Sequence, residues 1–217
     1  MILRSTVLLF SASLAYAQGL DGLYLQMQFM FGNFQETHYF FSPNGRYLKG
    51  VPEGGLTQPD VDRTCAKRPR ECGTYKAAAT NLILTPQQGP PESLVIERSP
   101  DGNLKLNGVF AKRVDKFPLA AKLDGTYSRV GNAGSVSAAQ SYIFKPDGTF
   151  SSSALGAVAT THGTGKSQSS SSGTYRLSGN LLEFASNGGT TRFVAYPYDL
   201  GKGDVRLNLN GLFFRKQ

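Results

Sequence analysis

The stretch LKLNGVFAKR, Leu104 to Arg113, returns 103 residues later as LNLNGLFFRK, Leu207 to Lys216. Self-similarity at a fixed offset marks duplicated architecture, and an offset this long suits a small domain, not a solenoid repeat. A chain of 217 residues is long enough for two such units, each burying a core of its own.

The copies correspond from their first residues. Leu20-Asp21-Gly22-Leu23-Tyr24 matches Leu123-Asp124-Gly125-Thr126-Tyr127, a turn entering a strand. The run from Tyr39 to Tyr47, YFFSPNGRY, matches Tyr142 to Phe150, YIFKPDGTF, at the same offset without a gap. Each predicts a β-hairpin, because Pro presets φ at a turn position and Asn-Gly or Asp-Gly supplies the positive φ angles of a reversal. Asn44 and Asp147 are therefore read as turn formers and not as ligands. Tyr39 and Phe41, like Tyr142 and Phe144, share a face that should fill a core. Phe40 and Ile143 lie opposite and predict a second cover, supplied by the other copy.

Farther on, Cys72-Gly73-Thr74-Tyr75 matches Ser172-Gly173-Thr174-Tyr175 at an offset of 100, and Asn81-Leu82 matches Asn180-Leu181 at 99, so length changes fall in loops. Strands at Ser93 to Arg98 and Thr191 to Tyr196, then a closing Leu-x-Leu strand, bring each copy to about seven short strands with no amphipathic helix. Two stretches read as loose loops in equivalent places: Pro52 to Glu71, and the Ser, Thr and Gly-rich Ala157 to Ser172.

An in-order antiparallel meander with similar motifs at start and finish can close and so remove its edges. With a D-G-x-Y opening, an aromatic hairpin, a G-T-Y step and a final L-x-L-x-G strand in each copy, the chain resembles the lipocalin-like small β-barrels of exported bacterial proteins, here in tandem. The resemblance implies an all-β fold of two repeats, each an antiparallel up-and-down meander closing into a small barrel. The chain has no Trp and no G-x-W opening, and a barrel of about 95 residues is small enough to be filled by its own side chains. The expected divisions are a leader at 1–17, a first repeat at 18–114, a linker at 115–122 and a second repeat at 123–217. Phe117 and Leu119 of the linker are expected to tuck into the junction.

The leader is read from Arg4, the apolar run to Leu14, and Ala15-Tyr16-Ala17. A basic start, a short apolar core and small residues before a cut are the layout of a secretory signal, too short to span a bilayer. The expectation is export to the periplasm or the extracellular space, with a mature chain from Gln18 that does not span the membrane. An outer-membrane barrel is disfavoured because polar residues and glycines interrupt the strands and the chain ends Phe214-Arg215-Lys216-Gln217. In an oxidising compartment Cys65 and Cys72, separated by AKRPRE, are expected to form one local disulfide. A metal site there would need further Cys or His ligands, and none lies between Gly50 and Leu84.

Catalytic chemistry is thin. The histidines are His38 and His162, neither in H-E-x-x-H, and there is no G-x-S-x-G elbow. Gly163-Thr164-Gly165-Lys166-Ser167 lacks the earlier glycine and the following helix of a phosphate loop. No cofactor and no metal are called for, and the reading is of a non-catalytic protein. The net charge of +8 permits attraction to anionic polysaccharide or lipid headgroups without demonstrating it, and no nucleic acid is expected as a partner because an exported protein rarely meets it.

Two readings of different classes follow. One is an exported binding module whose equivalent loops take a small apolar ligand, an anionic glycan or a lipid surface, through Arg63, Lys67, Arg68 and Arg70 in the first and His162 and Lys166 in the second. The other is a structural, envelope-interaction protein with solid barrels and no small-molecule ligand. An apolar cavity inside a barrel separates them.

Overall fold

The computed structural model describes residues 19–217 apart from 31–32, 57–58, 119–120, 134–135, 161–162 and 200–203. The predicted leader, Leu119 and His162 lie outside the described residues. Turn chemistry organises the rest. At each aromatic hairpin the glycine takes positive φ, 81° at Gly45 and 88° at Gly148. Its N–H donates back to Ser42 or Lys145 at 3.0 Å. Asn44 Oδ1 and Asp147 Oδ1 accept from the backbone N–H two residues on, as turn formers do.

Eight antiparallel strands follow one another around each barrel. In the first these are β1 (Gly22–Met30), β2 (Asn33–Phe41), β3 (Arg46–Lys49), β4 (Cys72–Ala77), β5 (Asn81–Pro86), β6 (Glu92–Arg98), β7 (Leu104–Leu106) and β8 (Val109–Arg113). Strand β8 returns to β1 in the register Tyr24↔Arg113 and Gln26↔Ala111, which closes the barrel. The second comprises β9 (Gly125–Ala133), β10 (Val136–Phe144), β11 (Thr149–Thr160), β12 (Gly163–Ser178), β13 (Leu181–Ser186), β14 (Gly189–Asp199), β15 (Val205–Leu209) and β16 (Leu212–Lys216). It closes through Arg215↔Ser128 and Lys216↔Tyr127. No helix among the described residues is long and apolar enough to cross a membrane.

Three local expectations are corrected. The closing stretch is two strands in each copy, not one, because its Asn-Gly step is a tight reversal. Asn107 and Gly108 have φ 51° and 78°, and Asn210 and Gly211 have 49° and 91°, the signs a two-residue I′ hairpin needs. Each Asn also clasps the preceding strand, its Oδ1 accepting from Val95 N at 2.8 Å or Val194 N at 2.7 Å. Second, Ala157 to Ser172 is not a loose loop. Its described residues belong to β11 and β12, where Ser151↔Ser172, Ser152↔Ser171 and Ser153↔Ser170 pair hydroxyl side chains across the ladder. Small polar side chains extend a ladder into solvent without needing a core. Third, the other stretch holds a short helix, α1 (Val61–Lys67), capped by Asp60, whose side chain accepts from Arg63 N at 2.9 Å.

The repeat register also differs by one residue at β13. Tyr75↔Leu84 in the first barrel matches Tyr175↔Phe184 in the second, so the offset stays at 100 and Leu82 corresponds to Leu182, not Leu181. Alternation enforces this, since a one-residue slip would turn the buried Leu182 and Phe184 outward.

Side chains fill both lumens. Tyr24, Tyr39, Phe41, Tyr47 and Tyr75 with Leu82, Leu84 and Ile96 form the first core. Tyr142, Phe144, Phe150, Phe184 and Phe214 form the second, with the Phe150 and Phe184 rings 4.3 Å apart. In each, one tyrosine hydroxyl ties the unit's opening residue to its first hairpin turn. Tyr75 reaches Leu20 O at 2.8 Å and Ser42 O at 3.1 Å; Tyr175 reaches Leu123 O at 2.7 Å and Lys145 O at 3.1 Å.

A third core joins the barrels. Leu23, Leu25 and Phe40 on the outer face of β1 and β2 cluster with Tyr196 and Tyr198 of β14, and Phe213 of β16 packs against them. Phe40 is thus covered by the other copy, as expected, whereas Ile143 stays exposed. Phe117 of the connecting segment packs against the second core.

Cys65 at the end of α1 and Cys72 at the start of β4 are disulfide-bonded and buried. Replacing both with alanine is expected to cost about 2–3 kcal/mol, the loop-closure term for so short a ring. Urea unfolding with and without reductant checks this; an unchanged midpoint would show that helix packing alone holds the segment.

Candidate binding cleft between the barrels

The segment after β3 leaves the first barrel at Gly50 and runs along its outside to α1. Glu53 bridges to Asp60, with Asp60 N donating to Glu53 O at 2.7 Å, which draws the two ends of this lobe together. This lobe leans on the second barrel: a Cβ at Gly55 would lie 3.4 Å from Leu181 Cβ. From the other side the Asn210-Gly211 turn reaches His38, and a Cβ at Gly211 would lie 3.6 Å from its Cε1. Between lobe and turn lies a cleft of about 850 Å³.

Both copies line it. The first contributes His38, Val51, Glu53, Asp60, Arg63 and Arg68; the second contributes Leu181, Glu183, Arg192, Phe193, Val194 and Asn210. Three guanidinium groups thus face three carboxylates. Arg63 Nε lies 3.2 Å and Lys67 Nζ 2.7 Å from Glu53, Arg68 Nη1 lies 3.0 Å from Glu71, and Arg192 Nε lies 2.7 Å from Glu183. The Lys67 hydrogen bond holds the Glu53 carboxyl below its ordinary value. Because these pairs are exposed they contribute little to stability and are free to exchange partners.

His38 lies at the junction of the barrels, its Nε2 2.5 Å from the Tyr196 hydroxyl. Burial lowers its pKa to about 4 and raises that of Tyr196, so at neutral pH the ring is uncharged and shares a hydrogen bond with the neutral tyrosine hydroxyl. Among the described residues no Ser, Thr or Cys lines the cleft. The described residues include no group of three or more His, Cys, Asp or Glu placed to hold a metal. The arrangement offers hydrogen bonds of both senses, two signs of charge and one aromatic face.

The residues predicted from sequence separate into different places. Arg63 and Arg68 line the cleft, and Lys67 stands beside it on Glu53. Arg70 lines a depression of about 390 Å³ near Tyr47, Lys49 and Glu92, where Lys49 and Glu92 form an ion pair. Lys166 lies on the outer face of the second barrel, in a groove with Val130 and Leu155. His162 falls outside the described residues. Glu183, Arg192, Phe193 and Asn210 were not anticipated, because what gathers them is how the barrels dock. One signal was present: Glu183 and Arg192 stand at equal distances from the Asn187-Gly188 turn, which predicts the cross-strand pair observed as Glu183↔Arg192.

Compared with protein-family models, curated proteins and solved structures, the chain matches none.

Proposed function

We propose that the chain is an exported, non-catalytic binding protein of lipocalin-like build that holds a hydroxyl-rich ligand, a short glycan, between its barrels and not inside them. The observation that carries this is the 850 Å³ cleft with three guanidinium groups and three carboxylates on its walls. An apolar ligand would strip water from six charges without replacing it. A strongly anionic ligand would meet Glu53, Asp60 and Glu183. Hydroxyl groups donate to carboxylates and accept from guanidinium groups, so a neutral or weakly anionic sugar satisfies both signs, with Phe193 as a face for its ring. The filled lumens argue against a ligand held within a barrel. Export rests on the predicted leader, and the Cys65–Cys72 bridge accords with an oxidising destination.

The test is binding to immobilised neutral and acidic oligosaccharides. Arg192→Ala is expected to weaken retention about tenfold or more while Arg70→Ser leaves it unchanged. Equal retention of wild type and Arg192→Ala would remove the cleft as the site. The filled lumens also suit a second reading, a surface-interaction protein with no small ligand, which predicts no retention of any sugar by the wild type.

A further inference from the structure

The contact between the barrels is heterologous: it joins one face of the first to a different face of the second. The first barrel uses the outer face of β1 and β2, with Leu23, Leu25, Met27, His38 and Phe40; the second uses the outer face of β14–β16, with Tyr196, Tyr198 and Phe213. Because the barrels are copies, each carries both faces, and only one of each is used. The 103-residue shift carries Met27 and Phe40 to Val130 and Ile143, and Phe110 to Phe213. The ladders agree, since Met27↔Glu36 corresponds to Val130↔Ala139 and Phe110↔Lys105 to Phe213↔Asn208.

The unused faces keep their large apolar residues in solvent. On the second barrel Val130 is 73% and Ile143 43% exposed; on the first, Val95 is 56% and Phe110 49% exposed. Beside Val130 a groove of about 570 Å³ runs past Ala139 and Leu155. Tandem arrays ordinarily end on polar caps, and this one ends on apolar residues at both sides.

We propose that these two faces bind each other between molecules, so that the chain associates head to tail with further copies of itself. A contact between unlike faces is not used up when two molecules meet; the pair still presents one free face of each kind, and growth continues to a filament or a closed ring. The contacts available repeat those within the chain. Where His38 meets Tyr196 internally, Ser141 stands opposite Glu97, a hydroxyl that can donate to a carboxylate now paired with Lys105 at 3.1 Å. Leu23, Leu25 and Leu48 are replaced by Thr126, Ser128 and Ser151. The intermolecular contact therefore buries less apolar surface and is reversible. The inference is independent of the glycan reading and needs no ligand.

Sedimentation velocity of the purified chain over a wide concentration range tests it, with no sugar present. The wild type is expected to grow past a dimer as concentration rises. Val130→Lys and Phe110→Lys, both at exposed positions, should each lower the association constant about tenfold or more and run as monomers. Mixed in equal amounts they should form dimers and stop there, because each retains the face the other has lost. A wild type that stays monomeric, a variant that assembles like wild type, or a mixture no heavier than its parts would overturn the proposal. Should circular dichroism show either variant unfolded, Ile143→Lys and Val95→Lys form a second pair with the same expected outcomes.

Discussion

Gly173→Ala is expected to destabilise the second barrel severely. A Cβ at this position would lie 1.9 Å from Ala185 O, 3.0 Å from Ala185 C and 3.1 Å from Ser186 Cα. These are backbone atoms of β13, held in the ladder with β12 and β14, so they cannot swing aside as a flexible side chain would. Relief requires β12 and β13 to part where they pair Gly173↔Ser186. The same approach occurs at Gly73, where a Cβ would lie 1.9 Å from Thr85 O and 2.8 Å from Pro86 Cα. Each substitution should cost on the order of 4–5 kcal/mol, the exceptional end of the range for single changes. Urea unfolding of the two variants measures it. A midpoint close to wild type would show that the strands have room the structure does not give them.

The second large effect is a loss of stability in mild acid, centred on His38. Its folded pKa of about 4 lies below the ordinary value of 6.5, and burial is the cause. Between these values the unfolded chain binds the proton and the folded chain does not. Stability should therefore be full above pH 6.5, fall as the pH drops towards 4, and change no further on this account below that. The full contribution is about 3 kcal/mol, by proton linkage. Glu53, Asp147 and Asp204, whose pKa values their hydrogen bonds lower, add losses only below the ordinary carboxyl range. Glu36, raised by desolvation, works in the opposite sense. His38→Gln keeps a hydrogen-bonding group beside Tyr196 and cannot titrate. Its stability should differ less between pH 7.5 and pH 4.5 than that of wild type, as read from urea midpoints. Equal slopes would place the acid sensitivity elsewhere.

Much of the fold was legible because its determinants are local. Pro-Asn-Gly and Pro-Asp-Gly specify their hairpins through φ alone, and the offset between them exposes the duplication before any strand is counted. Asn107-Gly108 and Asn210-Gly211 carried the same kind of signal, but the Leu-x-Leu alternation around them suggested one strand where there are two. The run Ser169 to Ser172 has the composition of a loop, yet pairing decides its structure, because Ser151 to Ser153 offer it strand partners of matching character. The cleft was the least legible feature. Arg63 and Arg68 become its lining only when β14–β16 dock on β1 and β2, and the distance in sequence between His38 and Tyr196 hides that event.

The closure of β8 on β1, and the use of β1 and β2 as the seat for β14–β16, impose an order in time. The first barrel has no closing partner until Val109 to Arg113 has been made. Leu23, Leu25 and Phe40 pack with Leu48, Val114 and the Cys65–Cys72 segment of their own copy, but lack Tyr196, Tyr198 and Phe213 until the last strands emerge about a hundred residues later. For that interval the half-made chain presents a sticky flank with its proper cover not yet in existence. The arrival of Phe213 completes that cover.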